Sequence, residues 1–121
     1  MPHISFGYDP DVYREDQIIF LVDRLEVAVR KSIKTARPSV DYDYGVTIRG
    51  GPHPPITRSV AGLEINIDYH QEWEFREKER KVIADHLGYF VTHTLKTVEA
   101  STAGVKIRLY ARIGYEGRTL K

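Results

Sequence analysis

The sequence predicts an α+β domain ordered strand-helix-strand twice over, with four strands in one mixed sheet and two helices on one face. Three observations carry this reading: an ordered internal repeat, two apolar stripes of helical period, and period-two alternation in the segments that flank them.

The repeat runs through most of the chain. Ile4-Ser5-Phe6-Gly7-Tyr8 returns as Ile65-Asn66-Ile67-Asp68-Tyr69, an offset of 61. Arg14-Glu15 returns as Arg76-Glu77, an offset of 62 that also matches Leu21, Leu25, Val29 and Ile33 to Ile83, Leu87, Val91 and Leu95. Gly45-Val46-Thr47-Ile48-Arg49 returns as Gly104-Val105-Lys106-Ile107-Arg108, at 59. Any one match could arise by chance; the ordered set argues for two copies of one unit, about 2–49 and 63–113, inside a single domain.

Each element then follows from local chemistry. In the first strand Ile4, Phe6 and Tyr8 alternate with His3, Ser5 and Gly7. Pro2 can open such a strand because its own nitrogen needs no ladder partner. Apolar residues at 18, 21, 22, 25, 28, 29 and 33 predict a helix over 12–35, capped by Asp11 and ended by Arg37-Pro38. A second helix is predicted over 74–97, with Glu74 and Glu77 at its positive end. Arg80 stands where the first helix has Ile18, which predicts a solvent-side edge there. Gly50-Gly51-Pro52-His53-Pro54-Pro55 reads as an irregular connection between the halves. In the last strand Ile107, Leu109, Ala111 and Ile113 are expected to face the helices, with Arg108, Tyr110 and Arg112 on the opposite, polar face.

Composition narrows the function. The 121 residues carry 18 basic and 17 acidic side chains, a net charge of +1, so no electrostatic footprint for nucleic acid or an anionic membrane stands out. With no cysteine, disulfides, thiol nucleophiles and Cys-type metal sites are excluded together. His86 and His93 lie on one helix face, but two ligands without a third rarely hold a metal, and a solvated or capping role is expected for them. No targeting segment and no apolar run of transmembrane length is present, so a cytoplasmic protein needing neither metal nor cofactor is the expectation.

Periodicity alone leaves two architectures open: a ferredoxin-like sandwich, or two β-α-β units, each with parallel strands, related by a pseudo-twofold axis. The opening Met1-Pro2-His3-Ile4, the doubled unit and its length resemble fused members of the tautomerase superfamily, and within it the carboxymethyl-hydroxymuconate isomerases. That resemblance implies the tandem β-α-β architecture and a homotrimer with edge strands paired between subunits. It also implies catalysis by an N-terminal proline, exposed when the initiator Met1 is removed. The second half has Leu63 where the repeat would place a proline, so one such site per chain is implied. An arginine that grips a substrate carboxylate before each helix corresponds to Arg14 and Arg76, here without the glycine that often precedes it. Tyr110 falls where some members place a polarising tyrosine.

The chemistry asks for a base whose pKa lies near working pH and which moves a proton between carbon and oxygen. A terminal amine starts nearer neutrality than lysine, and an apolar pocket with neighbouring cations would bring proline's more basic amine into range. If the halves run antiparallel, the first strand begins beside the ends of strands three and four. Arg76, Tyr69, His70, Tyr110 and Arg112 then lie near Pro2, while Arg14, Arg49 and Arg58 lie further off unless another subunit brings them in. The expected site is Pro2 and Tyr110 as catalytic groups, with Arg76 and Arg112 binding a small-molecule carboxylate. Two rivals stand beside this: a hydratase or dehalogenase of unsaturated acids, with Glu116 activating water, and a non-enzymatic binding or assembly module in which Pro2 is inert.

Overall fold

Alternating and helical apolar patterns become six elements: β1 (His3–Tyr8), α1 (Glu15–Ala36), β2 (Thr47–Pro52), β3 (Leu63–His70), α2 (Glu77–Thr97) and β4 (Val105–Arg112). The computed structural model describes residues 2–39, 45–54, 62–70 and 75–112, and at His70, Ala111 and Arg112 the backbone only. The four strands form one sheet in the order β2-β1-β3-β4. β1 and β2 are parallel, β3 and β4 are parallel, and the two pairs meet antiparallel through β1 and β3. Parallel neighbours within each half overturn the ferredoxin-like alternative, whose halves are split by an intervening strand and whose neighbours all run antiparallel.

The core lies between the helices and the two central strands. Ile4 and Tyr8 of β1 and Leu63, Ile65, Ile67 and Tyr69 of β3 are buried against Leu21, Leu25, Val29 and Ile33 of α1 and Ile83, Leu87, Val91 and Leu95 of α2. Val105, Ile107 and Leu109 of β4 pack on the same core, while Tyr110 is exposed on the other face. The repeat is therefore a repeat of core positions.

Five local expectations are corrected. α1 begins at Glu15 with Arg14 as its N-cap, not at 12 behind Asp11. A turn comes first: the Asp9 carboxylate accepts the Asp11 amide at 2.9 Å, and the Asp9 carbonyl accepts the amides of Val12 and Tyr13. That turn aims Tyr13 into the core, where its hydroxyl donates to the Ser101 carbonyl at 2.9 Å. α2 likewise starts at Glu77, behind Arg76. Ile18 is buried rather than at a solvent edge, while Arg80 is exposed and donates to the Phe75 carbonyl at 2.7 Å.

The supposed irregular connection at residues 50–52 is the end of β2. Pro52 fits because β2 is an edge strand and its missing N–H breaks no interior ladder. Finally, His86 is neither solvated nor a cap. It is half-buried with Nδ1 2.7 Å from the Ser32 hydroxyl, which also contacts the Ala28 carbonyl at 2.7 Å, so it ties α2 to α1.

Candidate active site

Topology collects one set of groups at the end of the sheet where β1 begins. β2 starts there, β3 and β4 finish there, α1 ends there and α2 begins there. Pro2 is buried at this end, and its carbonyl accepts the Thr47 amide at 3.2 Å, which locks the start of β1 to the start of β2. His3 pairs with Asp68, so the antiparallel register carried one residue further sets Pro2 beside Tyr69. Alternation puts both on the helix side of the sheet, where Tyr69 is buried.

Behind Tyr69 stands a short wall. The Tyr69 ring meets Phe75 edge-on at 4.9 Å between centroids, and the Arg37 guanidinium lies 4.8 Å from the Phe75 centroid. Arg37, the C-cap of α1, donates from Nε to Glu79 Oε2 at 2.9 Å and from Nη2 to Oε1 at 2.6 Å. Glu79 also accepts the Arg76 amide at 2.8 Å. These bonds hold the Glu79 carboxyl down at about 2, the Arg37 hydrogen bond being the largest cause and the Arg76 amide the next. The same bond raises the Arg37 pKa above its ordinary value. Arg37 was missed because Arg37-Pro38 reads locally as a helix stop; its partner lies 42 residues away.

The opposite end repeats this helix-to-helix link with a neutral amide. Gln17, 62 residues before Glu79, accepts the Arg14 amide at 2.9 Å and donates to the Val98 carbonyl at the end of α2 at 3.2 Å. Tyr13 stands where the other end has Phe75, and fully buried Leu63 stands where it has Pro2. The pseudo-twofold thus relates an end whose helices are joined by a neutral amide to one that combines a buried proline, an aromatic pair and an interhelical guanidinium-carboxylate pair.

The expected site residues fall in different places. Arg76 is at the Pro2 end, exposed at the N-cap of α2. Tyr110 is near that end but on the open face, where Thr47, His3, Asp68 and Tyr110 form one row across the four strands. Two strand spacings, about 10 Å, separate its backbone from β1. The backbone of Arg112 pairs with His70 at the same end, and its side chain lies outside the described residues, as do Arg58 and Glu116. Arg14 is at the opposite end, bound to Asp16 at 3.1 Å.

Arg49 stands three residues along β1 from Pro2. It pairs with Ser5 on the neighbouring strand, and with His3, Ile4, Ser5 and Thr47 it lines a concavity of about 280 Å³. Among the described residues no group of three or more His, Asp or Glu side chains could hold a metal ion, and no helix is long and apolar enough to cross a membrane.

Comparison of sequences finds no matching family model and no matching curated protein. Solved structures do match. A native fused 4-OT superposes with a TM-score of 0.64 at 12% identity, over 97% of this chain and 94% of that one. A 5-carboxymethyl-2-hydroxymuconate delta-isomerase gives 0.59 at 12% identity, over 100% and 87%. Pt0534, in a structure inactivated by 2-oxo-3-pentynoate, gives 0.56 at 17% identity, over 96% and 91%. Further fused 4-OT structures at a TM-score of 0.60 are trimers. At such identities the likeness speaks for the fold. This chain has the fold of the fused tautomerases, two β-α-β units in one polypeptide.

Proposed function

We propose that the chain is a tautomerase or isomerase that uses the secondary amine of Pro2, freed by removal of Met1, as general acid and base on enols or α-keto acids. The observation that carries this reading is the burial of Pro2 at the start of a central strand, at the end of the fold that also gathers Tyr69, Phe75, Arg37 and Arg76. A buried amine near guanidinium groups is held toward its neutral form, because burial and like charge both oppose the ammonium. The neutral amine takes the hydroxyl proton of the enol. The ammonium then returns a proton to carbon as the C=C electron pair closes on it and the oxygen pair forms C=O.

Arg76 and Arg112 bind the substrate carboxylate in this reading, a planar guanidinium being suited to bidentate contact. Tyr110 polarises the carbonyl. Because its backbone stands about 10 Å from β1, it serves an amine of another subunit of a homotrimer rather than its own. The fused 4-OT trimers of the same fold support that assembly.

One reagent tests the centre of the proposal. The neutral amine should add to the alkyne of 2-oxo-3-pentynoate at the carbon distal to the ketone. The alkyne pair moves toward the ketone and is then protonated, so nothing leaves. Peptide mass spectrometry should find the whole reagent mass on an N-terminal peptide that begins at Pro2. Retained Met1 in active protein, or labelling elsewhere with Pro2 unmodified, would overturn the reading.

A further inference from the structure

We propose that Glu79 is a positioning residue for the Pro2 end, holding Arg37 and the start of α2 in place behind the aromatic wall. The inference rests on the tautomerase reading above and adds a residue to its site. One carboxylate performs two tasks: Oε1 accepts the Arg76 amide at 2.8 Å, and both oxygens engage Arg37, at 2.6 and 2.9 Å. Through Arg37 it fixes a guanidinium 4.8 Å from the Phe75 ring, which itself packs on Tyr69, the residue set beside Pro2 by register.

The other half of the molecule supplies the control. Gln17 performs the same two tasks, capping Arg14 and bonding the end of the opposite helix at Val98, with a neutral amide. Joining the two helices at their ends therefore needs no charge. A fork-to-fork carboxylate-guanidinium pair gives a fixed plane that a single amide-carbonyl bond does not. Among the described residues, the fork that ties one helix to the other stands at the proline end; the Arg14–Asp16 fork at the far end is exposed and stays within the start of α1. Arg37, already engaged, walls the site, and the incoming carboxylate is left to Arg76.

The test compares Glu79→Gln with Gln17→Leu, each assayed on a phenylpyruvate-type enol well below its melting temperature. Glu79→Gln keeps an acceptor for the Arg76 amide but loses the charged fork. It should lower kcat/KM about 10- to 100-fold, with kcat carrying most of the loss, the scale set by small misplacements of reacting groups. Gln17→Leu should lose stability yet keep kcat/KM within about twofold, because it disturbs the far end. If Glu79→Gln does not fold, the double variant Glu79→Gln/Arg37→Gln removes both charges and carries the same expectation. Activity lost in both single variants in step with stability, or full turnover in Glu79→Gln or in the double variant, overturns the proposal while leaving a wild type that requires Pro2 intact. A wild type with neither turnover nor an adduct at Pro2 overturns the tautomerase reading, and this inference with it.

Discussion

Gly50 of β2 lies so close to Phe6 of β1 that a Cβ at position 50 would stand 2.2 Å from the Phe6 carbonyl oxygen and 2.6 Å from two of its ring carbons. The two residues are register partners in the parallel pair. No rotamer of Phe6 relieves a clash with its own carbonyl, so the strands would have to part. Gly50→Ala should therefore destabilise the fold by about 1–3 kcal/mol, the range for overpacking a close-fitted site. Gly51→Ala, where nothing lies within 4 Å, should change stability little. Denaturant unfolding of the two variants checks the contrast, and equal midpoints would refute it.

Acid should reveal the Arg37–Glu79 pair. The folded-state pKa of Glu79 is depressed from 4.5 to about 2, so its stabilisation is fully present above 4.5 and is lost as pH falls from 4.5 through about 2. The pair is largely buried on both sides, with side-chain exposures of 27% and 14%, which limits solvent screening. Glu79→Gln should cost about 1–3 kcal/mol at neutral pH, the scale for a hydrogen bond to a charged group. The difference between variant and wild type should shrink toward pH 2. A pH-independent difference in unfolding free energy would mean that the pair contributes nothing through charge.

The fold was legible because both of its periods are written in core residues: Ile4 and Ile65, or Leu25 and Leu87, recur at matched positions and are all buried. What misled were residues whose meaning is tertiary. Gly50 and Pro52 have the composition of a loop, and only the lone neighbour of an edge strand, with Phe6 close against it, makes them strand. Asp11 has the chemistry of a cap, yet the burial of Tyr13 moves the helix start to Glu15. In the candidate site, Pro2 could be named through the family resemblance, and Arg76 by the strand order that sets it at the same end. Arg37 and Glu79 could not, because the antiparallel packing of the two helices brings them together. The matched pair Gln17 and Glu79 did carry a signal, since the repeat aligns a neutral and a charged residue at the same helical position.

The proposed assembly draws on the sheet's borders. β2 and β4 are both edge strands, β4 spans 8 residues, and the open face carries a polar row including exposed Tyr110. Sheet edges of that length favour pairing with another chain. In the proposed trimer, light scattering at micromolar concentration should give three times the chain mass. A proline that blocks the β4 ladder, as in Lys106→Pro, should shift the mass downward or abolish folding. A monomer mass for the unmodified chain would remove the route by which Tyr110 reaches a second amine.

Pro2→Ala is the sharpest test of the chemistry. Alanine keeps a terminal amine after removal of Met1 but makes it primary and less rigidly held. Pro2 contributes no side-chain hydrogen bond to the core, and its carbonyl, which accepts the Thr47 amide, survives the change. Only the buried ring methylenes are lost, about 1–2 kcal/mol, so activity is compared on protein shown to be folded. Proton transfer by one placed group contributes about 10²–10⁴-fold, so turnover of phenylpyruvate-type enols should fall within that range. The remaining rate should peak at a different pH, since a primary amine titrates differently from a secondary one in the same pocket. Arg76→Ala is the companion: at the exposed N-cap of α2 it should raise KM for acids and leave KM for uncharged enols unchanged. Unchanged turnover in folded Pro2→Ala protein would end the proline mechanism whatever Arg76 does.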